Sequence, residues 1–411
     1  MKHNTYNSNY FHYSIPFLFK LIALFLIISF LPLPLAQAKR KPVAVLKESF
    51  QFKHNTLSPS SLFKEEKYLL SLIQESIKTH PESKKFFSEN PDIYHKLYGL
   101  NVPKTHYKNG YFISKDSQAR LYYQRWIPRR EVKGILIITH GYSEHSAQYA
   151  EMVHFFVEWG FAIYSWDMEG HGLSDYAEGI PGHILKASHY VSALSDFFSL
   201  IILPERKKLK RLKNKDINFF GHSLGSLVTL GFYKEYFDKF SNLINNNLIL
   251  SAPYLKTHPD KMTLVQKIIT FLIFWLIPNK HQFKIKKTTA HLLARMKGYV
   301  EDDPLAISHT TANWYKQTKA FGKKITSRVF NLALSTFVLL AGEDTSVDNK
   351  VTKKLLAKIK NKGMPGVLEI IELDKANHNM PRNIGSTKVF KLILQQIDTT
   401  IYRLHLFQKS A

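Results

Sequence analysis

The chain has 411 residues, a formal net charge of +25, 45% apolar residues and no cysteine. This length suffices for one large α/β domain with insertions or for two smaller domains, and the apolar fraction is that of a folded protein. The lack of cysteine excludes a thiol nucleophile, thiolate metal sites and disulfides, but it does not decide the redox compartment.

The positive charge is concentrated in three segments, 205–215, 280–287 and 350–362. Three interpretations of this charge remain open: attraction to an anionic membrane surface, nucleic-acid binding, and a solvated surface that reflects a compositional bias. No recognition motif accompanies a nucleic-acid role, so we expect no nucleic-acid partner.

Residues 1–38 have the pattern of a secretory signal peptide. An apolar core at 21–30 is followed by Ala36-Gln37-Ala38, the small-x-small pattern of a cleavage site. An uncleaved membrane anchor is the alternative, although Lys20 and two prolines interrupt the apolar segment. We therefore expect an exported protein, either periplasmic, membrane-associated or secreted.

Residues 39–105 carry no recognisable site. A serine-rich start predicts one helix over 65–77, and a second short helix is predicted after Pro81. We expect this segment to be a helical extension packed on the main domain.

From residue 106 onward strands and helices alternate. Strands are predicted at 111–114, 120–126, 134–139, 161–166, 216–220, 247–251, 336–340 and 367–373. Helices are predicted at 147–159, 189–203, 224–236 and 387–399. The first two strands form an antiparallel pair, and the remainder predict a doubly wound α/β fold, a mostly parallel eight-stranded sheet with helices on both faces.

The interval 256–334 interrupts this alternation. It contains the apolar run 264–277, which at about 14 residues is too short to span a bilayer comfortably. We expect an inserted helical cap with an apolar face toward a lipid-like substrate or the membrane interface. A buried core helix is the alternative. The predicted core is thus divided into residues 106–255 and 335–411.

The stretch Gly221-His-Ser-Leu-Gly225 has the G-x-S-x-G pattern and lies between a predicted strand and a predicted helix. In a nucleophile elbow, the serine occupies this tight turn and its hydroxyl stands clear of the sheet. The pattern alone is weak, but its position between strand and helix favours Ser223 as the nucleophile.

Two further predicted loops supply a base and an acid. His378 follows the last strand, where a histidine can reach a serine at the same edge of the sheet. Asp344 follows the preceding strand and can orient the imidazole, with Glu343 and Asp348 as close alternatives.

An oxyanion hole needs two N–H donors. The N–H of Leu224 directly follows the nucleophile, and the loop after the first central strand offers the N–H of Tyr142, where Gly141 lets the backbone turn. The side chain of His140 is predicted to be structural.

Five motifs follow one another along the chain: 140–146 (HGYSEHS), 167–174 (DMEGHGLS), 221–225 (GHSLG), 342–344 (GED) and 376–378 (ANH). Together they resemble the monoacylglycerol lipase and bacterial lysophospholipase branch of the α/β-hydrolases, over roughly residues 106–400. The segment 299–305 and Trp314 are similar to the bacterial lysophospholipases. The resemblance implies an α/β-hydrolase fold, a triad of Ser223, Asp344 and His378, and the oxyanion donors Tyr142 and Leu224.

Two positions depart from the family pattern. Glu169 stands where the family usually has arginine, in a loop that is structural in the family. Ser226 replaces a frequent glycine, and we expect slightly looser packing of the elbow helix to accommodate it.

These features predict a serine esterase that cleaves the ester of a single-chain lipid, a lysophospholipid or a monoacylglycerol, through an acyl-enzyme. They imply no metal or organic cofactor, a lipid substrate and contact with a membrane surface through the cap and the basic segments, and they make no prediction of an oligomeric state. Two alternatives remain: an acyltransferase that uses the same acyl-enzyme, and a non-catalytic lipid-binding envelope protein.

Overall fold

The computed structural model describes residues 80–241, 247–256, 277, 279–284, 303–327, 334–360, 368–382 and 386–398. Several predictions lie outside these residues: the signal peptide, the helix at 65–77, most of the apolar run at 264–277, and the segment 299–302.

The described helices and strands, in chain order, are α1 (His80–Glu89), α2 (Pro91–Leu97), β1 (Thr105–Ile113), β2 (Arg120–Pro128), β3 (Gly134–Thr139), α3 (Ala150–Glu158), β4 (Phe161–Trp166), α4 (Ser188–Phe197), α5 (Leu203–Lys208), β5 (Asp216–His222), α6 (Leu224–Phe240), β6 (Asn247–Ser251), β7 (Gln282–Lys284), β8 (His309–Thr311), α7 (Ala312–Ser327), β9 (Ser335–Ala341), α8 (Asn349–Lys360), β10 (Leu368–Leu373) and α9 (Ser386–Ile397). None of these helices is both long and apolar enough to cross a bilayer.

Eight strands form one sheet in the order β1-β2-β4-β3-β5-β6-β9-β10. β2 runs antiparallel to both of its neighbours, and the six strands β4, β3, β5, β6, β9 and β10 run parallel to one another. Thr139 pairs with Gly221, and His222 pairs with Ser251. The loops after β3, β5 and β6 therefore leave the sheet at the same edge. The predicted mostly parallel eight-stranded sheet is confirmed.

The core occupies both faces of this sheet, because successive side chains of a strand point to opposite sides. On β3, Ile135 and Ile137 join one apolar cluster, which also includes side chains of α4, α6, α7 and α8. Leu136 and Ile138 join the second cluster, together with side chains of α1, α2, α3 and α9. A strand buried on both faces has a continuous apolar sequence, as β3 does.

The helices α1 and α2 pack against the second face of the sheet. Phe87 and Tyr94 are fully buried there, and Tyr94 meets the ring of Tyr122 edge to face. The indole N–H of Trp126 donates to the carbonyl of Leu100 at 3.0 Å. These contacts join residues 80–100 to β2.

Between β6 and β9 the described residues include an element that the sequence did not predict. β7 and β8 form a two-stranded antiparallel ribbon, and α7 follows it directly. Phe321 and Ile325 of α7 belong to the first core cluster, so the end of this inserted interval packs on the main domain.

Candidate active site

Ser223 lies at the turn between β5 and α6, where the sequence predicts it. Its backbone has φ 51° and ψ −113°, in the region that residues with a side chain rarely adopt. The N–H of Ser223 donates to the carbonyl of Ser251 at 2.8 Å, which fixes the strained turn to β6. The hydroxyl is thus held at the carboxyl edge of the sheet.

The two glycines of the elbow are required by close backbone contacts. A Cβ on Gly225 would lie 2.1 Å from the carbonyl oxygen of Thr139, and one on Gly221 would lie 2.4 Å from that of Gly225. The first turn of α6 is therefore packed directly against the end of β3. Ser226 is completely buried in this contact and its hydroxyl donates to the carbonyl of Gly221, so the expected looser packing is not seen.

Three predicted side chains form one hydrogen-bonded chain. His378 Nε2 lies 2.8 Å from Ser223 Oγ, and His378 Nδ1 lies 2.8 Å from Asp344 Oδ2. Burial of the Asp344 carboxylate would raise its pKa, but the hydrogen bond and charge of His378 and two backbone N–H donors hold that pKa below its ordinary value. The carboxylate therefore stays ionised next to the imidazole.

The two alternative acids do not contact His378. Glu343 is exposed at the surface of the loop. Asp348 begins α8, and its Oδ1 accepts the backbone N–H of Lys350 at 3.0 Å, which is the role of a helix cap. Asp344 is thus the carboxylate of this loop that orients the imidazole.

The loop after β3 brings Tyr142 to the elbow. The phenol ring of Tyr142 stacks on Trp314 of α7 with ring centroids 3.8 Å apart, and its hydroxyl lies 3.2 Å from the carbonyl of His309. Within the described part of the chain, no acceptor is bonded to the backbone N–H of Tyr142 or of Leu224. Both N–H groups are therefore available to an oxyanion.

Two histidines beside the elbow are structural in different ways. His140 Nε2 accepts the N–H of Met168 at 3.0 Å, and burial, reinforced by the nearby His171, lowers the pKa of His140 far below its ordinary value. The ring of His222 packs against the ring of His378 with centroids 5.2 Å apart. Burial, with smaller contributions from the neighbouring His378 and from the positive charge of Arg382, also lowers the pKa of His222, so the rings of His140 and His222 stay neutral.

Sequence reasoning missed a buried polar cluster behind the loop after β3. Asp303 accepts hydrogen bonds from the hydroxyl of Tyr98 at 2.7 Å, from the Gln148 amide at 2.6 Å, and from His145 Nε2 at 3.0 Å. Burial lowers the pKa of His145, but the Asp303 carboxylate outweighs this effect and raises it. The sequence contained only a slight indication of this cluster. Asp303 belongs to the segment 299–305, which is similar to the bacterial lysophospholipases, but the similarity assigned Asp303 no role.

The unusual Glu169 is also buried, at 3% exposure. Burial raises its pKa to about 7, with a smaller contribution from the negative charge of Asp175. Its Oε2 lies 3.9 Å from His189 Nδ1. Glu169 touches none of the three hydrogen-bonded residues at the elbow, in agreement with the structural role expected for this loop.

The parallel sheet with a strained serine elbow at its carboxyl edge defines an α/β-hydrolase. The profile of one protein family, described as serine aminopeptidase, S33, matches residues 130–380. This match covers more than half of the chain, which therefore belongs to that family.

Individual relatives include lipases. The monoacylglycerol lipase of Mycolicibacterium smegmatis is 27% identical over 141 residues, which are 34% of this chain and 44% of that protein. The monoglyceride lipase of Mus musculus is 22% identical over 198 residues, or 47% of this chain and 59% of that protein. The chain therefore spans about half the length of these curated relatives.

Solved structures are similar over more of the chain. A soluble variant of the monoglyceride lipase from Saccharomyces cerevisiae, in complex with a substrate analog, has a TM-score of 0.58 at 18% identity and covers 73% of this chain and 97% of its own. The structure of the monoacylglycerol lipase of Paleococcus ferrophilus has a TM-score of 0.51 at 18% identity. The match covers 67% of this chain and 97% of the lipase chain. At these identities the likeness confirms the predicted α/β-hydrolase fold.

Proposed function

We propose that this protein is a serine hydrolase that cleaves the carboxylic ester of a single-chain lipid. The proposal is carried by the unbroken chain of hydrogen bonds from Asp344 through His378 to Ser223. The same combination of nucleophile, base and acid performs acyl transfer in several unrelated folds, so it is recognised by geometry and not by sequence position.

In the first half-reaction, His378 Nε2 accepts the hydroxyl proton of Ser223 while the serine oxygen attacks the ester carbonyl. Because Asp344 accepts a hydrogen bond from the N–H at Nδ1, the proton of the neutral imidazole stays on Nδ1 and Nε2 keeps the lone pair that takes up the hydroxyl proton. The alcohol then leaves with the proton from Nε2, and the acyl group remains on Ser223.

In the second half-reaction, water gives a proton to His378 Nε2 and attacks the acyl-enzyme. The fatty acid leaves, and the proton returns to Ser223. In both halves the carbonyl oxygen becomes negatively charged, and the N–H groups of Leu224 and Tyr142 stabilise it.

A lysophospholipid and a monoacylglycerol both fit this proposal. The names of the lipase relatives support an ester with one acyl chain. Tyr142 and Trp314 provide a stacked aromatic surface beside the proposed oxyanion donor, which suits an apolar chain.

The test is labelling of the protein with a serine-reactive fluorophosphonate, compared between the native chain and Ser223→Ala. We expect labelling that depends on Ser223. Release of free fatty acid from a matched panel of lysophospholipids and monoacylglycerols then identifies the substrate class, with an amino-acid amide as the aminopeptidase control. If the folded native chain neither reacts with the probe nor cleaves any ester, the hydrolase proposal is wrong.

The same assays distinguish the two alternatives. A new ester formed with an added alcohol acceptor, in place of free fatty acid, would identify an acyltransferase. Lipid binding without labelling of Ser223 would identify a non-catalytic binding protein.

We further propose that the protein works at an anionic membrane surface. Two of the groups of exposed lysines differ in position: Lys207 and Lys210 precede the amino end of β5, whereas Lys350 and Lys354 begin α8 beside the loop of Asp344. Ser223 follows the carboxyl end of β5, so only the second group is near the proposed site.

Charge reversal tests this proposal. Lys350→Glu with Lys354→Glu should weaken binding to phosphatidylglycerol vesicles, and added salt should have the same effect. The matched control, Lys207→Glu with Lys210→Glu, should weaken binding to the same vesicles less. Equal binding by all three proteins would contradict the proposal.

We also propose export through cleavage after Ala38. N-terminal sequencing of the protein from its native cells would test this, since an intact Met1 in the exported fraction would instead support the uncleaved anchor.

A further inference from the structure

A buried ion pair joins the two loops that carry the proposed base and one proposed oxyanion donor. Arg382 Nη2 contacts Glu144 Oε1, and both side chains are almost completely buried, at 4% and 6% exposure. Glu144 lies two residues after Tyr142, and Arg382 lies four residues after His378. Burying two charges removes them from water at a large cost in free energy, so such a pair is weak evidence for a role in stability alone.

Glu144 fixes the backbone of the first loop. Its Oε2 accepts the N–H of Gly141 and the hydroxyl of Tyr149, both at 2.7 Å. The Gly141 N–H belongs to the peptide unit immediately before the one that carries the Tyr142 N–H. The carboxylate therefore holds the backbone next to the proposed oxyanion donor.

Arg382 donates hydrogen bonds to the loop of His378 and also to a second point of the loop after β3. Its Nη2 donates to Asn379 Oδ1 at 3.1 Å, and its Nη1 donates to Gln148 Oε1. Asn379 directly follows His378. The planar guanidinium thus contacts the loop of the base on one side and the loop of the oxyanion donor on the other.

We propose that Arg382 and Glu144 are positioning residues, which set the place of the Tyr142 N–H relative to the His378 imidazole. This inference rests on the proposed function. Neither side chain contacts Ser223, so they act through the two loops. A displacement of either loop by a fraction of an ångström would misalign donor and base, and such a shift reduces turnover more than substrate binding.

The experiment uses Arg382→Met, Arg382→Lys and the double variant Glu144→Gln/Arg382→Met, which removes both charges and leaves no lone buried charge. The matched control is Arg125→Met, which breaks the ion pair between Arg125 of β2 and Glu205 of α5, 2.7 Å long and at 12% and 16% exposure. For each protein, active sites are titrated with a fluorophosphonate. The kcat and KM for a p-nitrophenyl ester and the affinity for a trifluoromethyl ketone are then measured per titrated site.

For Arg382→Met and the double variant we expect kcat to fall about tenfold or more, KM to change by less than about threefold, and the affinity for the trifluoromethyl ketone to fall with kcat/KM. Arg382→Lys keeps the positive charge but loses the planar guanidinium that donates to both loops. Its kcat and its affinity for the ketone should therefore lie between those of these variants and those of the native protein. Arg125→Met should keep native kinetics.

Native kcat per titrated site in the folded double variant would overturn the proposal. If the methionine variants do not fold, Arg382→Lys decides, since native kcat and ketone affinity in that variant would also overturn it. Failure of the proposed function is a different outcome, because the native protein itself would then show neither labelling nor ester cleavage.

Discussion

Ser226 donates its hydroxyl proton to the carbonyl oxygen of Gly221, 2.6 Å away, and so joins the first turn of α6 to the end of β5. The same hydroxyl lies 3.1 Å from the carbonyl of Ser251, the group that also accepts the N–H of Ser223. Ser226, one of the two residues that depart from the family pattern, therefore connects the elbow helix to the ends of both β5 and β6.

Ser226→Ala should lower the free energy of unfolding by about 1–2 kcal/mol, because buried carbonyl groups lose a donor. Urea denaturation measures this change. The control is Ser192→Ala, since the Ser192 hydroxyl makes a longer bond of 3.3 Å within α4 and should contribute less. Equal stability of Ser226→Ala and the native protein would show that the hydroxyl is energetically neutral.

Asp344→Asn should reduce ester turnover by about a thousandfold or more, because an amide next to Nδ1 favours the wrong imidazole tautomer. Asp348→Asn should instead leave turnover within about threefold and change stability little, because the asparagine side-chain oxygen caps a helix about as well as that of aspartate. Steady-state kinetics and urea denaturation of both variants test the assignment. Loss of turnover only in Asp348→Asn would reverse it.

Glu169→Gln should stabilise the protein more at pH 8 than at pH 5. The pKa of Glu169 is raised from 4.5 to about 7 on folding, so the folded protein binds more protons and its free energy of unfolding falls as the pH rises through that range. The full difference corresponds to about 3 kcal/mol. Thermal unfolding of both proteins from pH 4 to pH 8 measures it, and a pH-independent difference would exclude a raised pKa.

Tyr98→Phe should lower the free energy of unfolding by about 1.5–3 kcal/mol, because its hydroxyl donates to the buried carboxylate of Asp303. A double-mutant cycle with Asp303→Asn isolates this contact. We expect a coupling energy of about 1 kcal/mol or more between the two positions. Strictly additive effects would mean that the extension gains nothing from this bond.

The central strands could be predicted to the residue. β3 and β4 have the bounds expected for them, because each is a continuous apolar run that begins at or after a glycine and ends where polar residues begin. Strands buried on both faces carry the strongest local signal in a sequence. The order of nucleophile, acid and base followed from three other parallel strands, β5, β9 and β10, each of which ends in a loop at the same edge.

Other features depend on contacts that no local pattern encodes. Arg382 and Glu144 are 238 residues apart, and a buried arginine looks like any surface arginine in the sequence. The strands β7 and β8 have three residues each, too few for an alternation to be visible. The choice of Asp344 over its two neighbours depends on side-chain direction.

The helix predicted over 189–203 shows a third kind of difference. α4 ends at Phe197, a π-helical turn spans Phe198–Ile202, and α5 continues to Lys208. Pro204, near the start of α5, has no N–H to donate to the preceding turn, and a widened turn accommodates this loss. The sequence indicated a helix here but not the change in its winding.

The span of the chain between Ser223 and His378, 155 residues, also determines when the serine can react. A growing polypeptide that ends before residue 378 contains the nucleophile but no base to activate it. Contacts between residues so far apart in sequence form late and slowly, after the local helices and hairpins. Under the proposed mechanism, nascent and partly folded chains are therefore inert toward esters, and reactivity arises together with the finished fold.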